Sequence, residues 1–256
     1  MNKKIFIVIS VALVALVAIG IYYKINAPAG RALGRREVLS VGTSADFPPF
    51  AYIENGAIVG FDIDLIREIA NRIGKDLMVS DLPFFTLIPE LDFGSIDLVV
   101  GGITNTQERA RRVIFSDPYL QDIRLLVITL AGNIVNDISD LNGKTVIVND
   151  GYTADLYMSD FKDINLERIP TVADSFIALE NGQAYAFVSA DKTVGHFFSK
   201  FPKDKFSIYS IPETSESYCF AAAKNNSKLL EEINKILKDI SLDGTLDKLK
   251  EKWDLK

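Results

Sequence analysis

From Val38 onward, apolar residues recur in two alternating rhythms: short continuous runs, and runs spaced to line one face of a helix. Val38–Thr43 predicts a strand. Leu65, Ile66, Ile69, Ala70 and Ile73 then repeat at helical spacing until Gly74 ends the pattern, and Asp62 stands where a helix N-cap is expected. Between them, Pro48-Pro49 stiffens a loop, because each proline restricts the residue before it. Leu77–Val79 predicts a strand, Thr86–Leu91 a short helix, Ile96–Gly101 a buried strand and Gln107–Val113 a helix. Leu125–Leu130 is a further apolar strand, and Ala131-Gly132-Asn133 marks the expected exit from a first lobe.

The rhythm then begins again. Thr145–Asn149 and Ala184–Ser189 read as strands, with helices starting near Thr153 and over Asp174–Asn181. Ser217–Ala223 is a strand able to carry the chain back. Lys228–Ile240, with Leu229, Leu230, Ile233, Ile236, Leu237 and Ile240 on one face, and Thr245–Trp253 then complete the first lobe. Strands alternating with helices imply an α/β protein with mainly parallel sheets flanked by helices. The expected division is residues 38–129 with 221–256 as one lobe and 130–220 as the other.

The N-terminus follows neither rhythm. Asn2, Lys3 and Lys4 precede 19 charge-free residues from Ile5 to Tyr23, and Ala27-Pro28-Ala29 supplies a small-x-small cleavage pattern. Residues 1–29 therefore read as an export signal and 30–37 as a linker. A run of that length also spans a bilayer, so a retained anchor stays open beside a cleaved signal. Either way the body is expected outside the cytoplasm.

The net charge of −6 argues against a nucleic-acid partner, which would require clustered basic residues to displace counterions. Cys219, the one cysteine, lies in an apolar run, which predicts a buried, inert thiol and no disulfide within the chain. With His196 the one histidine, a His-rich metal site cannot be assembled, and neither metal nor cofactor is expected.

In open α/β sheets ligands settle beyond the carboxyl ends of strands, which directs attention to the residues after Thr43, Gly101, Asn149 and Ser189. Thr106 can cap a helix whose first turn holds Arg109, a cation opposed to the helix dipole, which a bound carboxylate would compensate. Thr153 can offer a hydroxyl from the opposite lobe. Phe47 and Phe84 present aromatic faces from two loops, with Phe50 and Phe61 assigned to the core. Ser44, Asp46, Thr104 and Asp191 are oxygen acceptors suited to an ammonium group.

Together these segments resemble the family 3 extracellular solute-binding proteins of ABC transporters, the polar-amino-acid branch of the type II periplasmic binding fold. The carriers are Gly42 to Phe50, Val59 to Leu65, Leu87 to Leu91, Ile103 to Arg109, Phe115 to Tyr119, and Asp243-Gly244-Thr245 before Trp253. The resemblance covers about residues 38–256 and implies two lobes joined by two crossover strands. It implies that Arg109 grips a ligand's α-carboxylate with help from Thr153. Phe47 and Phe84 would line the side-chain slot, and Gly102 backbone and the Thr104 hydroxyl would receive the amino group.

Two positions depart from the pattern. Ser44 stands where members that bind basic side chains often carry an acid, with Asp46 two residues on. The family's amino-group aspartate matches Ala190, with Asp191 next to it. The implied function is capture of a polar amino acid by lobe closure, as a monomer, for delivery to an ABC transporter permease. The hinge is expected near Thr129–Asn133 and Glu216–Phe220. Two other functions compete: a ligand-sensing receptor module, and a dehydratase on the same fold, for which Glu90, Asp92 and Glu108 are the available acids.

Overall fold

The computed structural model describes residues 37–198 and 203–255. The apolar N-terminal run and the linker, with the export reading that rests on them, lie outside the described residues. Among the described residues, no helix is long and apolar enough to cross a membrane.

Two sheets form the body. In the first, β1 (Val38–Thr43) pairs in parallel with β5 (Asp76–Asp81) on one side and β6 (Leu98–Thr104) on the other. The sheet continues through β14 (Glu216–Ala223), which runs antiparallel to β6, β7 (Val113–Phe115) and β8 (Leu120–Ile123). In the second, β10 (Thr145–Asn149) lies parallel to β11 (Asn165–Ile169) and β12 (Ala186–Ala190). There β9 (Leu125–Leu130) runs antiparallel to β12 and β13 (Phe206–Ser210). A small ribbon, β2 (Asp46–Phe47), β3 (Ala51–Glu54) and β4 (Ala57–Val59), follows β1.

The central strands are continuous apolar runs because helices cover both faces of each sheet. Val146, Ile147 and Val148 are all fully buried. Helix α1 (Phe61–Arg72) buries Phe61, Ile63, Leu65, Ile66, Ile69 and Ala70, and packs on β6. The long helix α7 (Ser227–Leu242) buries Leu229, Leu230, Ile233, Leu237 and Ile240, the stripe its spacing predicts, and packs against α1 and α8 (Thr245–Lys252).

Several details differ from the sequence reading. The sequence division places residues 125–129 in the first lobe, but the hydrogen bonds of β9 go to β12 and β13, so the whole strand belongs to the second sheet. β14 lies wholly in the first sheet, including the part from Glu216 to Phe220 assigned to the second lobe. The chain therefore crosses between sheets at Arg124 and again over residues 211–215. An apolar strand carries no mark of which sheet it joins, since partners on either side satisfy its backbone equally.

The helix over Gln107–Val113 is only α3 (Gln107–Ala110), because Val113 is drawn into β7 against Ala223. Asp62 is not the cap of α1. Gly60 holds that position, and the Asp62 side chain turns into the protein. Cys219 is buried as expected, and burial pushes its thiol up to about 11, far from a reactive thiolate.

Candidate functional site

The carboxyl ends of β1, β6 and β10 face one another across the two lobes. Beyond β6, Thr106 caps α3 by accepting the Arg109 backbone N–H at 3.2 Å, which fixes where the Arg109 side chain leaves the chain. That side chain is buried. Its guanidinium donates to the Thr104 carbonyl of its own lobe at 2.9 Å and to the Gly151 carbonyl of the other at 3.0 Å. It also lies 5.2 Å from the centre of the Phe84 ring, within cation–π range. Burial lowers the guanidinium's pKa, with the Glu216 carboxylate as the largest opposing influence. A guanidinium is so strongly basic that the group stays charged.

Phe47, Phe84, Gly102, Thr104, Arg109 and Thr153 therefore line one cleft, six of the nine residues singled out from the sequence. Gly101, Tyr152, Glu216 and Tyr218 complete it. These side chains meet so closely that the free space among them is about 20 Å3, little more than the ~10–15 Å3 that one water requires.

Ser44 and Asp46 stand just outside, in an adjoining hollow with Asp81 and Asp150. Asp46 accepts the Ser44 hydroxyl at 2.7 Å and, across the lobes, the Tyr152 hydroxyl at 2.9 Å. Burial pushes the Asp46 carboxyl up, against the pull of these two hydrogen bonds and the Val172 backbone. Asp191 does not line the cleft. It begins helix α6 (Asp191–Phe198), its N–H donates to the Arg124 carbonyl at 2.8 Å, and its Oδ1 is buried without a hydrogen-bond partner among the described residues.

Besides Gly101, three lining side chains escaped the sequence reading. Tyr152 places its ring between the two expected aromatic walls, 4.4 Å from Phe84 and 5.4 Å from Phe47 between centroids. Its signal was its place in the loop after β10, beside Thr153. Tyr218 stands 6.2 Å from Phe47 and 4.9 Å from Phe50. Glu216 accepts the Thr104 hydroxyl at 3.2 Å, and burial raises its pKa against hydrogen bonds from Thr153 and Thr104 and the charge of Arg109. An acid heading an otherwise apolar strand was the available clue to it.

Behind the cleft, Asp62 is fully buried and organises the end of β6. Its Oδ2 accepts the Gly101 and Gly102 N–H groups at 2.7 and 2.8 Å and the Tyr119 hydroxyl. Glycine is favoured at position 102: at φ +71°, an added Cβ would stand 2.8 Å from the Phe47 ring. The cleft thus offers one buried cation, one buried acid and aromatic walls, a set suited to holding a small zwitterion.

Comparison with known proteins points the same way. The sequence pattern of the bacterial extracellular solute-binding proteins, family 3, matches residues 39–256. The chain is 31% identical over 229 residues to the arginine-binding extracellular protein ArtP of Bacillus subtilis (strain 168), covering 88% of each. Among solved structures it is similar to the P235GK mutant of ArgBP from T. maritima, at 40% identity and a TM-score of 0.81, over 86% of this chain and 96% of that one. An ancestral arginine-binding protein bound to glutamine shares 36% identity at a TM-score of 0.79, over 86% of this chain and 99% of the other.

Proposed function

The chain belongs to the bacterial extracellular solute-binding proteins, family 3, and on that premise we propose that it captures a free amino acid between its lobes and delivers it to the permease of an ABC transporter. The observation that carries this reading is the buried guanidinium of Arg109, which sits where both lobes meet and faces an aromatic wall. A ligand's α-carboxylate replaces the two backbone carbonyls as its partner, gaining a charge-assisted, bidentate bond in place of two neutral acceptors. Thr153 adds its hydroxyl from the second lobe, and Phe47 and Phe84 clasp the side-chain stem.

The preferred side chain is basic. Asp46, Asp81 and Asp150 gather in the hollow beyond the aromatic walls, so a cationic end reaching past Phe84 meets acceptors there. Asp46 thereby supplies the acid that Ser44 does not. The protein acts by binding and carries out no reaction. It works as a monomer outside the cytoplasm, exported by residues 1–29.

Because the cleft has room for little more than a water, an amino acid enters only when the lobes part. The two crossings provide the hinge. They run side by side, with Ile211 N–H donating to the Leu125 carbonyl at 2.9 Å and Leu125 N–H to the Thr214 hydroxyl at 3.1 Å. A few connecting residues of this kind absorb the backbone rotation of a closing protein.

A thermal-shift screen of the full chain against the twenty amino acids tests the reading, since ligand at ~100 times its Kd adds about 2.7 kcal/mol of stability. Arginine, lysine or histidine is expected to give the largest shift. Arg109→Ala is expected to lose it, with affinity reduced on the order of 100-fold or more. No shift with any amino acid, or an unchanged one in Arg109→Ala, overturns the proposal.

A further inference from the structure

The position matching the family's amino-group acid is Ala190, whose methyl accepts no hydrogen bond, and Asp191 beside it lies off the cleft. An acid does line the cleft, but it comes from another element. Glu216 opens β14, opposite Ile123 of β8, directly at the return crossing. It is 8% exposed.

Two features of its surroundings matter. First, Glu216 and Arg109 share the cleft yet form no ion pair: the guanidinium is committed to the Thr104 and Gly151 carbonyls, and the carboxylate to the hydroxyls of Thr104 and Thr153. A buried carboxylate satisfied by hydroxyls alone has given up more hydration than two neutral donors return, so a cation placed against it is strongly favoured. Second, the α-carboxylate and α-ammonium of an amino acid hang from one carbon, so their partners must be close neighbours and must not neutralise each other. Arg109 and Glu216 meet both conditions.

We propose that Glu216 receives the ligand's ammonium group, the role that matching by sequence would assign to Ala190. This rests on the cleft being an amino-acid site. The Thr104 hydroxyl, which donates to Glu216 through its proton, keeps lone pairs for the same ammonium, and the negative charge of Asp191 adds attraction from behind. Because Glu216 stands at the crossing, gripping the ammonium also ties the ligand to the hinge.

Calorimetric titration of the full chain with two matched pairs tests this: L-arginine against 5-guanidinopentanoate, and L-glutamine against 4-carbamoylbutanoate, each partner lacking only the amino group. Wild type is expected to favour the amino acid of the bound pair by on the order of 100-fold. Glu216→Gln, which keeps the shape and an acceptor for the two hydroxyls, should erase most of that preference by weakening the amino acid while leaving the des-amino acid within about threefold. Asp191→Asn should lower it far less. Retained discrimination in Glu216→Gln sinks the assignment, and its loss in Asp191→Asn alone transfers the role to Asp191. Failure of wild type to bind any of the twenty amino acids refutes instead the amino-acid reading on which the assignment stands.

Discussion

Asp62 is the residue where opposing effects are most evenly matched. Three donors, the Gly101 and Gly102 amides and the Tyr119 hydroxyl, favour its ionised form. Complete burial opposes them, and Oδ1 has no hydrogen-bond partner among the described residues. Burial wins, and the carboxyl is raised from 3.8 to about 6. A carboxyl with a higher pKa in the folded state binds its proton more tightly there, so it contributes stability that is complete below the unfolded value and lost as pH rises through about 6. The shift corresponds to roughly 3 kcal/mol. Asp62→Asn removes the titration, so the melting temperature of wild type relative to Asp62→Asn is expected to fall between pH 4 and pH 7, by roughly 5–10 °C. A difference that stays level across that range would mean the carboxyl is ionised throughout.

At the scale of elements, two glycines set how closely the first lobe's parts approach. Gly60 lets α1 begin against the loop after β2, so that Phe61 N–H reaches the Pro49 carbonyl at 2.8 Å and Asp62 N–H the Phe50 carbonyl at 3.0 Å. A Cβ on Gly60 would stand 2.1 Å from the Phe50 carbonyl oxygen, which is backbone and cannot turn aside. At Gly102 the obstacle is a side chain, the Phe47 ring, which can shift. Gly60→Ala is therefore expected to destabilise the fold by more than 3 kcal/mol, and Gly102→Ala by about 1–2 kcal/mol with a weaker ligand site, because Phe47 is pushed into the cleft. Urea denaturation of both variants, with titration of Gly102→Ala, checks the order. Equal costs would show that α1 can retreat from the loop.

For the whole molecule, the decisive contacts are those between lobes. The Tyr152 hydroxyl on Asp46, its ring between Phe84 and Phe47, and the Arg109 bond to Gly151 all join one lobe to the other. They favour the closed arrangement before any ligand contributes, and a ligand shifts the balance only by what it adds to closed over open. Tyr152→Phe deletes one interlobe hydrogen bond, a net change of about 1 kcal/mol or roughly fivefold in the balance. Small-angle scattering is expected to show a larger radius of gyration in Tyr152→Phe than in wild type, and the two converging once saturated with the preferred amino acid. Identical curves without ligand would mean that the hydroxyl does not hold the lobes together.

The sequence alone determined whatever depends on local pattern. The 3.6-residue stripe of α7 buries the face it predicts, the apolar run of β10 lies inside a sheet, and Thr106 caps the short helix that launches Arg109. Six of the nine residues chosen for ligand contact also line one cleft, because loops at strand ends are recognisable from the strands that precede them. What the sequence left open depended on partners distant along the chain. Leu125–Leu130 satisfies its backbone as well in one sheet as in the other, and only the pairing with β12 and β13 assigns it to the second. Asp62 reads as a cap until Gly101 and Gly102, some forty residues on, are seen to occupy its oxygens. Tyr152 and Glu216 enter the cleft for the same reason. Tyr152 meets Asp46 of the other lobe, Glu216 meets Thr104 of its own sheet and Thr153 of the other lobe, and no spacing along the chain encodes contacts that form only when distant segments come together.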